Sequence, residues 1–186
     1  MKPILVFIAI VISVSGQAQE IKDFTLINVR SGKEVSLSSY NSMKAVVVVF
    51  TSQECPFDNY YKQRLRDLIQ SYSGSIQFLL INSNTEAQES AEQMAIHYTD
   101  LSVPYLADKD QQAMTMLGAK KTPEVFLILP AGGKFVLAYS GAIDDSPQEG
   151  KDVRQYFLKD AIVKILNGEK IEGVNQRATG CTIRKK

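Results

Sequence analysis

The sequence predicts an α/β fold: a central mixed β-sheet flanked by helices, with an N-terminal β-hairpin in front of it. Three patterns point there. Ala45 to Thr51 is a continuous run rich in β-branched residues, the mark of a strand buried on both faces. Directly after it, apolar residues recur at helical spacing. Along the rest of the chain the segments follow the order β-α-β-α-β-β-α, which builds a layered sheet with helices rather than a bundle or a sandwich.

The elements follow in order. Residues 24–29 and 34–38 flank a turn at Arg30-Ser31-Gly32-Lys33 and read as a hairpin. The run at 45–51 is the central strand, and burial on both faces favours a largely parallel surround. Phe57, Tyr61, Leu65, Leu68 and Tyr72 make one face of a helix. Pro56 suits its first turn, where a missing N–H costs nothing, and Gly74 stops it. Residues 76–81 are a second buried strand, followed by a helix from about 87 to 98. A short helix at 111–117 closes at Gly118. Residues 125–129 and 135–139 form a hairpin around a turn at 131–134. A last helix covers about 153 to 167 and ends at Gly168. The tail from about residue 172 carries little apolar content before Cys181 and Ile183.

The 186-residue length suits one domain, residues 19–186, behind a separate leader. The leader is residues 1–18: Lys2, an apolar run from Ile4 to Val14, then Ser15, Gly16, Gln17 and Ala18. A charged start, a short apolar stretch and small residues at a cleavage point describe a signal peptide, with a buried N-terminal strand or an uncleaved anchor as the alternative. The run is too short to span a bilayer, so no stable membrane insertion is expected after cleavage. The expected destination is the periplasm or the exterior. With a net charge of +1 and no basic stripe, nucleic acid is not an expected partner.

Cys55 and Cys181 are the only cysteines. Cys55 follows the buried central strand and opens a helix. The free N–H groups and positive dipole there favour thiolate, as does Lys62, while Glu54 and Asp58 oppose it. The end of such a strand is also where α/β sheets bind ligands. Thr122-Pro123 precedes the third strand, and a cis peptide there would carry a backbone edge toward Cys55.

Together these features resemble the thioredoxin superfamily, and within it the peroxiredoxin-like branch of the alkyl hydroperoxide reductase/thiol-specific antioxidant group. The resemblance spans roughly residues 22 to 184. It rests on Phe50-Thr51-Ser52-Gln53-Glu54-Cys55-Pro56-Phe57, residues 80–84, Val103-Pro104-Tyr105-Leu106-Ala107-Asp108, residues 117–126, residues 139–145, and Gly180-Cys181-Thr182-Ile183.

The resemblance implies a thiol-based antioxidant oxidoreductase. Cys55 would be the nucleophile, Ser52 would orient a peroxide, and Cys181 is the resolving candidate. Thr122, Pro123 and Lys121 would bind substrate. The implied partners are a peroxide or protein disulfide and an external thiol reductant, with no cofactor and no metal. The departures are specific. Ser52 stands where many members have the first cysteine of a Cys-x-x-Cys pair, which removes local dithiol exchange. Val48 replaces a motif proline, and only Lys120 and Lys121, with no arginine, lie between Gly118 and Pro130. Peroxide reduction at Cys55 is therefore the first reading. Thiol–disulfide exchange through a mixed disulfide, or a non-catalytic thioredoxin-fold binding module, are the alternatives.

Cys181 reads first as a cysteine packed with Ile183 against the domain, and second as a resolving partner whose tail reaches Cys55. His97, the only histidine, has no neighbour at metal spacing. Asp144 and Asp145 read as turn or helix-start residues beside Ser146-Pro147. Tyr60 and Tyr61 read as surface and core of one helix.

Overall fold

A computed structural model describes residues 19–96, 101–148, 150–171 and 176–186. Residues 1–18, where a signal peptide is expected, His97 and the first residues of the tail lie outside the described residues.

The strands are β1 (Glu20–Ile21), β2 (Thr25–Asn28), β3 (Glu34–Ser36), β4 (Ala45–Phe50), β5 (Ile76–Asn82), β6 (Tyr105–Ala107), β7 (Lys121–Thr122), β8 (Glu124–Ala131), β9 (Lys134–Gly141) and β10 (Cys181–Thr182). The helices are α1 (Pro56–Tyr72), α2 (Ala91–Ile96), α3 (Gln112–Leu117) and α4 (Phe157–Leu166). One sheet runs in the order β1-β9-β8-β4-β5-β6-β2-β3, and β7 pairs separately with β10.

The valine run of β4 explains the layering. Every residue from Ala45 to Phe50 is fully buried. Because side chains alternate along a strand, Ala45, Val47 and Val49 join the core that includes Tyr61 and Leu65 of α1 and Leu158 and Ile162 of α4. Val46, Val48 and Phe50 join the opposite core with Phe24, Ala113 and Leu117. The expectation of a largely parallel surround needs correction. Among the described strands only the β4–β5 and β5–β6 pairings are parallel, and β8 runs antiparallel to β4. The two-residue turn at Gly132-Gly133, both at positive φ, returns the chain directly into β9.

Two helices differ from the sequence expectation. The span from 87 begins as a 3₁₀ turn, Ala87–Glu89, before α2 starts at Ala91. The last helix starts at Phe157 rather than 153. The Asp145 carboxylate accepts the backbone N–H groups of Arg154 (2.9 Å) and Gln155 (3.1 Å), which holds that stretch out of the helix.

Candidate redox site

Pro56 at the first position of α1 leaves Cys55 as its N-cap, with extended backbone at φ −86°. β4 thus ends five residues before a cysteine held at a helix start. The cysteine is buried, and its sulfur is bonded to Cys181 (S–S 2.06 Å, Cα–Cα 5.9 Å). The reading of Cys181 as a residue merely packed beside Ile183 is therefore corrected. Ile183 is buried as expected, but its anchoring turns the Cys181 side chain to Cys55.

The other half of the site is the segment before β8. The Thr122–Pro123 peptide is cis. Cys181 lies opposite Thr122 and Thr182 opposite Lys121 in an antiparallel ladder. Ile183 N–H donates to the Lys120 carbonyl at 3.0 Å, and Cys55 Sγ lies 3.2 Å from the Thr122 carbonyl oxygen. Thr122 and Lys121, expected to bind substrate, thus meet the chain's own tail. Lys121 Nζ donates to Thr182 Oγ1 at 2.8 Å.

Ser52 is buried in the loop between β4 and α1, and its hydroxyl donates to the Glu89 carboxylate. Glu89 also accepts from Gln53 N–H (3.1 Å), Glu54 N–H (3.3 Å) and Asn82 Nδ2 (2.7 Å). Burial pushes this carboxyl up, but the hydrogen bonds from Ser52, Asn82, Gln53 and Glu54 outweigh it and hold the group below the usual carboxylate range. Glu89 was not legible from sequence, where it reads as one more polar residue of a helical segment. The only signal was Asn82, a polar residue ending a buried strand. One turn into α1, buried Asp58 accepts from Thr51 Oγ1 at 2.5 Å.

Beyond Glu89, Lys109 Nζ donates to the Asn84 carbonyl at 2.7 Å and is pushed down to about 8 by burial. A cleft of about 340 Å³ opens beside the disulfide, lined by Ser52, Glu54, Cys55, Glu86, Cys181 and Arg184 among others.

Elsewhere, Tyr60 is exposed and Tyr61 buried, as the helical spacing predicts. Asp145 serves the turn role already described. Asp144 goes beyond it, being buried, ion-paired to Arg64 at 2.6 Å and accepting from Tyr61 Oη at 3.2 Å. Among the described residues no acidic, histidine or cysteine cluster could hold a metal ion, and no helix is long and apolar enough to cross a membrane.

The family model described as the AhpC/TSA family matches residues 18–160. No curated protein matches the chain. Among solved structures, an uncharacterized conserved protein of Geobacillus kaustophilus is 28% identical, with a TM-score of 0.82, covering 91% of this chain and 92% of that one. A chain of Chlorobium tepidum named thiol:disulfide interchange protein DsbE is 18% identical, with a TM-score of 0.61, covering 81% and 98%. The peroxidoxin BcpB of Mycobacterium tuberculosis is 16% identical, with a TM-score of 0.57, covering 81% and 96%. The last two, at this identity, share the thioredoxin-like fold.

Proposed function

The chain belongs to the AhpC/TSA family, and from that premise we propose that it is a thiol–disulfide oxidoreductase whose Cys55 and Cys181 cycle between dithiol and disulfide. The observation that carries this reading is the Cys55–Cys181 bond at the start of α1, beside the Thr122–Pro123 edge.

The chemistry needs no group outside the chain and its substrate. In the reduced protein, Cys55 is the attacking thiol, because the helix N-terminus favours its thiolate. It attacks one sulfur of a substrate disulfide, forms a mixed disulfide and expels the first substrate thiolate. Cys181 then attacks Cys55 Sγ, closes the protein disulfide and expels the second. The two electrons that reduce the substrate come from the two protein thiols, whose protons end on the products. An external thiol reverses the sequence on the protein. Cys181 thus takes the place of the missing local partner at Ser52.

Peroxide reduction is the second reading, supported by the family match and by the Ser52-x-x-Cys55 spacing. There Cys55 thiolate would attack the O–O bond and become sulfenic acid, which Cys181 would condense to the disulfide with loss of water. The Ser52 hydroxyl and the N–H groups of Gln53 and Glu54, the groups suited to orient a peroxide, already bond to Glu89. That competition ranks exchange first. The signal peptide expected at 1–18 would place this chemistry outside the cytoplasm, where disulfides persist.

The test uses the pre-reduced protein. Stoichiometric cystine is expected to oxidise both cysteines at a rate well above that with hydrogen peroxide. The Cys181→Ser variant is expected to accumulate a mixed disulfide at Cys55. Faster reaction with peroxide, with sulfenic acid trapped at Cys55 in Cys181→Ser, would put the second reading first. A Cys55 that reacts with neither would leave only a binding module.

A further inference from the structure

The bond between Cys55 and Cys181 is one of several contacts that hold the tail, and the others do not involve sulfur. Ile183 is buried in the apolar cluster that contains Phe24, Ala113 and Leu117. Gly180 passes so close to the segment before Pro123 that a Cβ on it would stand 2.1 Å from the Thr122 carbonyl oxygen. That approach needs glycine. Upstream, Gln176 accepts the Ala142 N–H at 2.8 Å and bridges to Gly141, itself at φ +128°.

Gln111 is the most specific of these anchors. It is buried, and it carries positive φ (+56°), an uncommon conformation for a residue with a side chain. From there its amide grips the tail backbone from both sides. Nε2 donates to the Arg184 carbonyl at 2.6 Å, and Oε1 accepts the Lys186 N–H at 2.9 Å. The same Nε2 donates to the Ser83 carbonyl at 3.0 Å, which ties the clamp to the loop after β5. A side-chain amide that satisfies one donor and one acceptor of a passing strand behaves as a short extra rung of sheet.

The strand that these contacts hold lies along the backbone edge beside Cys55, where an extended polypeptide could otherwise pair. Lys120, Lys121 and Thr122 already spend that edge on residues 181–183. What remains open beside the sulfurs is the cleft of about 340 Å³. That is the size class of a small-molecule site.

We propose that residues 181–186 stay docked on the 120–122 edge when the Cys55–Cys181 bond is open, so that the site exchanges with low-molecular-weight disulfides and thiols and not with extended polypeptides. The proposal rests on the exchange reading above. It makes Gln111 a positioning residue, which keeps Cys181 beside Cys55 throughout the cycle. It also gives the tail a second task, that of a built-in strand excluding protein substrates. A small disulfide is the species reduced, two small thiols are released, and the two electrons come from the Cys55 and Cys181 thiols, which end as the protein disulfide.

Two measurements test it separately from the exchange chemistry. Hydrogen exchange on the Cys55→Ser/Cys181→Ser protein reports docking without any redox step. The Ile183 and Lys186 amides are expected to exchange at least about 100-fold more slowly than open chain. Open-chain rates at both would overturn the proposal. Substrate choice is then read on the reduced wild-type protein with cystine and with the disulfide-linked dimer of an unstructured peptide. Cystine is expected to react faster by at least about tenfold. The Gln111→Asn/Ile183→Ala variant is expected to narrow that ratio severalfold, since asparagine tolerates positive φ but is one methylene too short to clamp the tail. Equal rates in the wild type would overturn the small-substrate claim. Reaction with neither would overturn the exchange reading and the substrate class with it, while the hydrogen-exchange result still decides docking.

Discussion

Cys181 stands directly opposite Thr122 in a two-residue antiparallel ladder, and this register delivers its sulfur to Cys55. The bond closes a loop across 126 positions. Loop closure restricts the unfolded chain more as the loop lengthens, and measured effects fall near 2–4 kcal/mol. Reduction is therefore expected to destabilise the domain by about 2–4 kcal/mol. Urea unfolding with and without reductant checks this, and Cys181→Ser should match the reduced wild type. An unchanged midpoint would mean that the bond does not form in solution.

Glu89 contributes an acid limb to the stability of the domain. Its carboxyl lies below the usual range in the folded protein, so the unfolded chain binds a proton first as pH falls. The stability it contributes is complete above the unfolded value, about 4.3, and is lost as pH drops through the lower folded value. Glu89→Gln places an amide NH₂ against donors from Ser52, Asn82 and the 53–54 backbone. It is expected to cost about 1–3 kcal/mol at neutral pH. The same variant should also flatten the acid limb of the stability curve. A variant with the wild-type acid limb would show that Glu89 is not the group involved.

The Arg64–Asp144 pair fixes α1 to the loop after β9. Asp144 is buried, accepts from Tyr61 and takes the Arg64 guanidinium at 2.6 Å. Removing the carboxylate leaves a largely buried cation whose remaining partners are neutral, the Ser146 carbonyl at 2.7 Å and the Tyr61 ring. Asp144→Ala is expected to cost about 3 kcal/mol, the low end of the range for broken buried pairs because Arg64 keeps some exposure. A double-mutant cycle with Arg64→Met measures the coupling. A coupling energy near zero would reduce the pair to a surface contact.

The parts of this molecule set by local pattern were legible in its sequence. The valine run of β4, the helical stripe of α1 with Pro56 at its start, and the β8–β9 hairpin all occur within a residue or two of the expected bounds. Cys55 at the helix start was legible for the same reason, and Thr122-Pro123 beside it through the resemblance to the thioredoxin arrangement. The unread parts depend on contacts distant in sequence. β10 has two residues, too few for any periodicity, and exists because β7 offers it an edge. Glu89 looks like a solvated helix residue until the fold brings Ser52 and Asn82 to its carboxylate. Gln111 reads from sequence as the first residue of the short helix, but its φ of +56° and its grip on the tail follow from where residues 184–186 run.

The central claim is that Cys55 and Cys181 form one two-electron redox pair. Its most direct measurement is equilibration of the full-length protein across a series of thiol/disulfide buffers, followed by alkylation and intact mass. The account predicts that both thiols disappear together in a single two-electron transition, with no species carrying one blocked cysteine. Oxidation or glutathione capture of Cys55 while Cys181 remains alkylated throughout would contradict it.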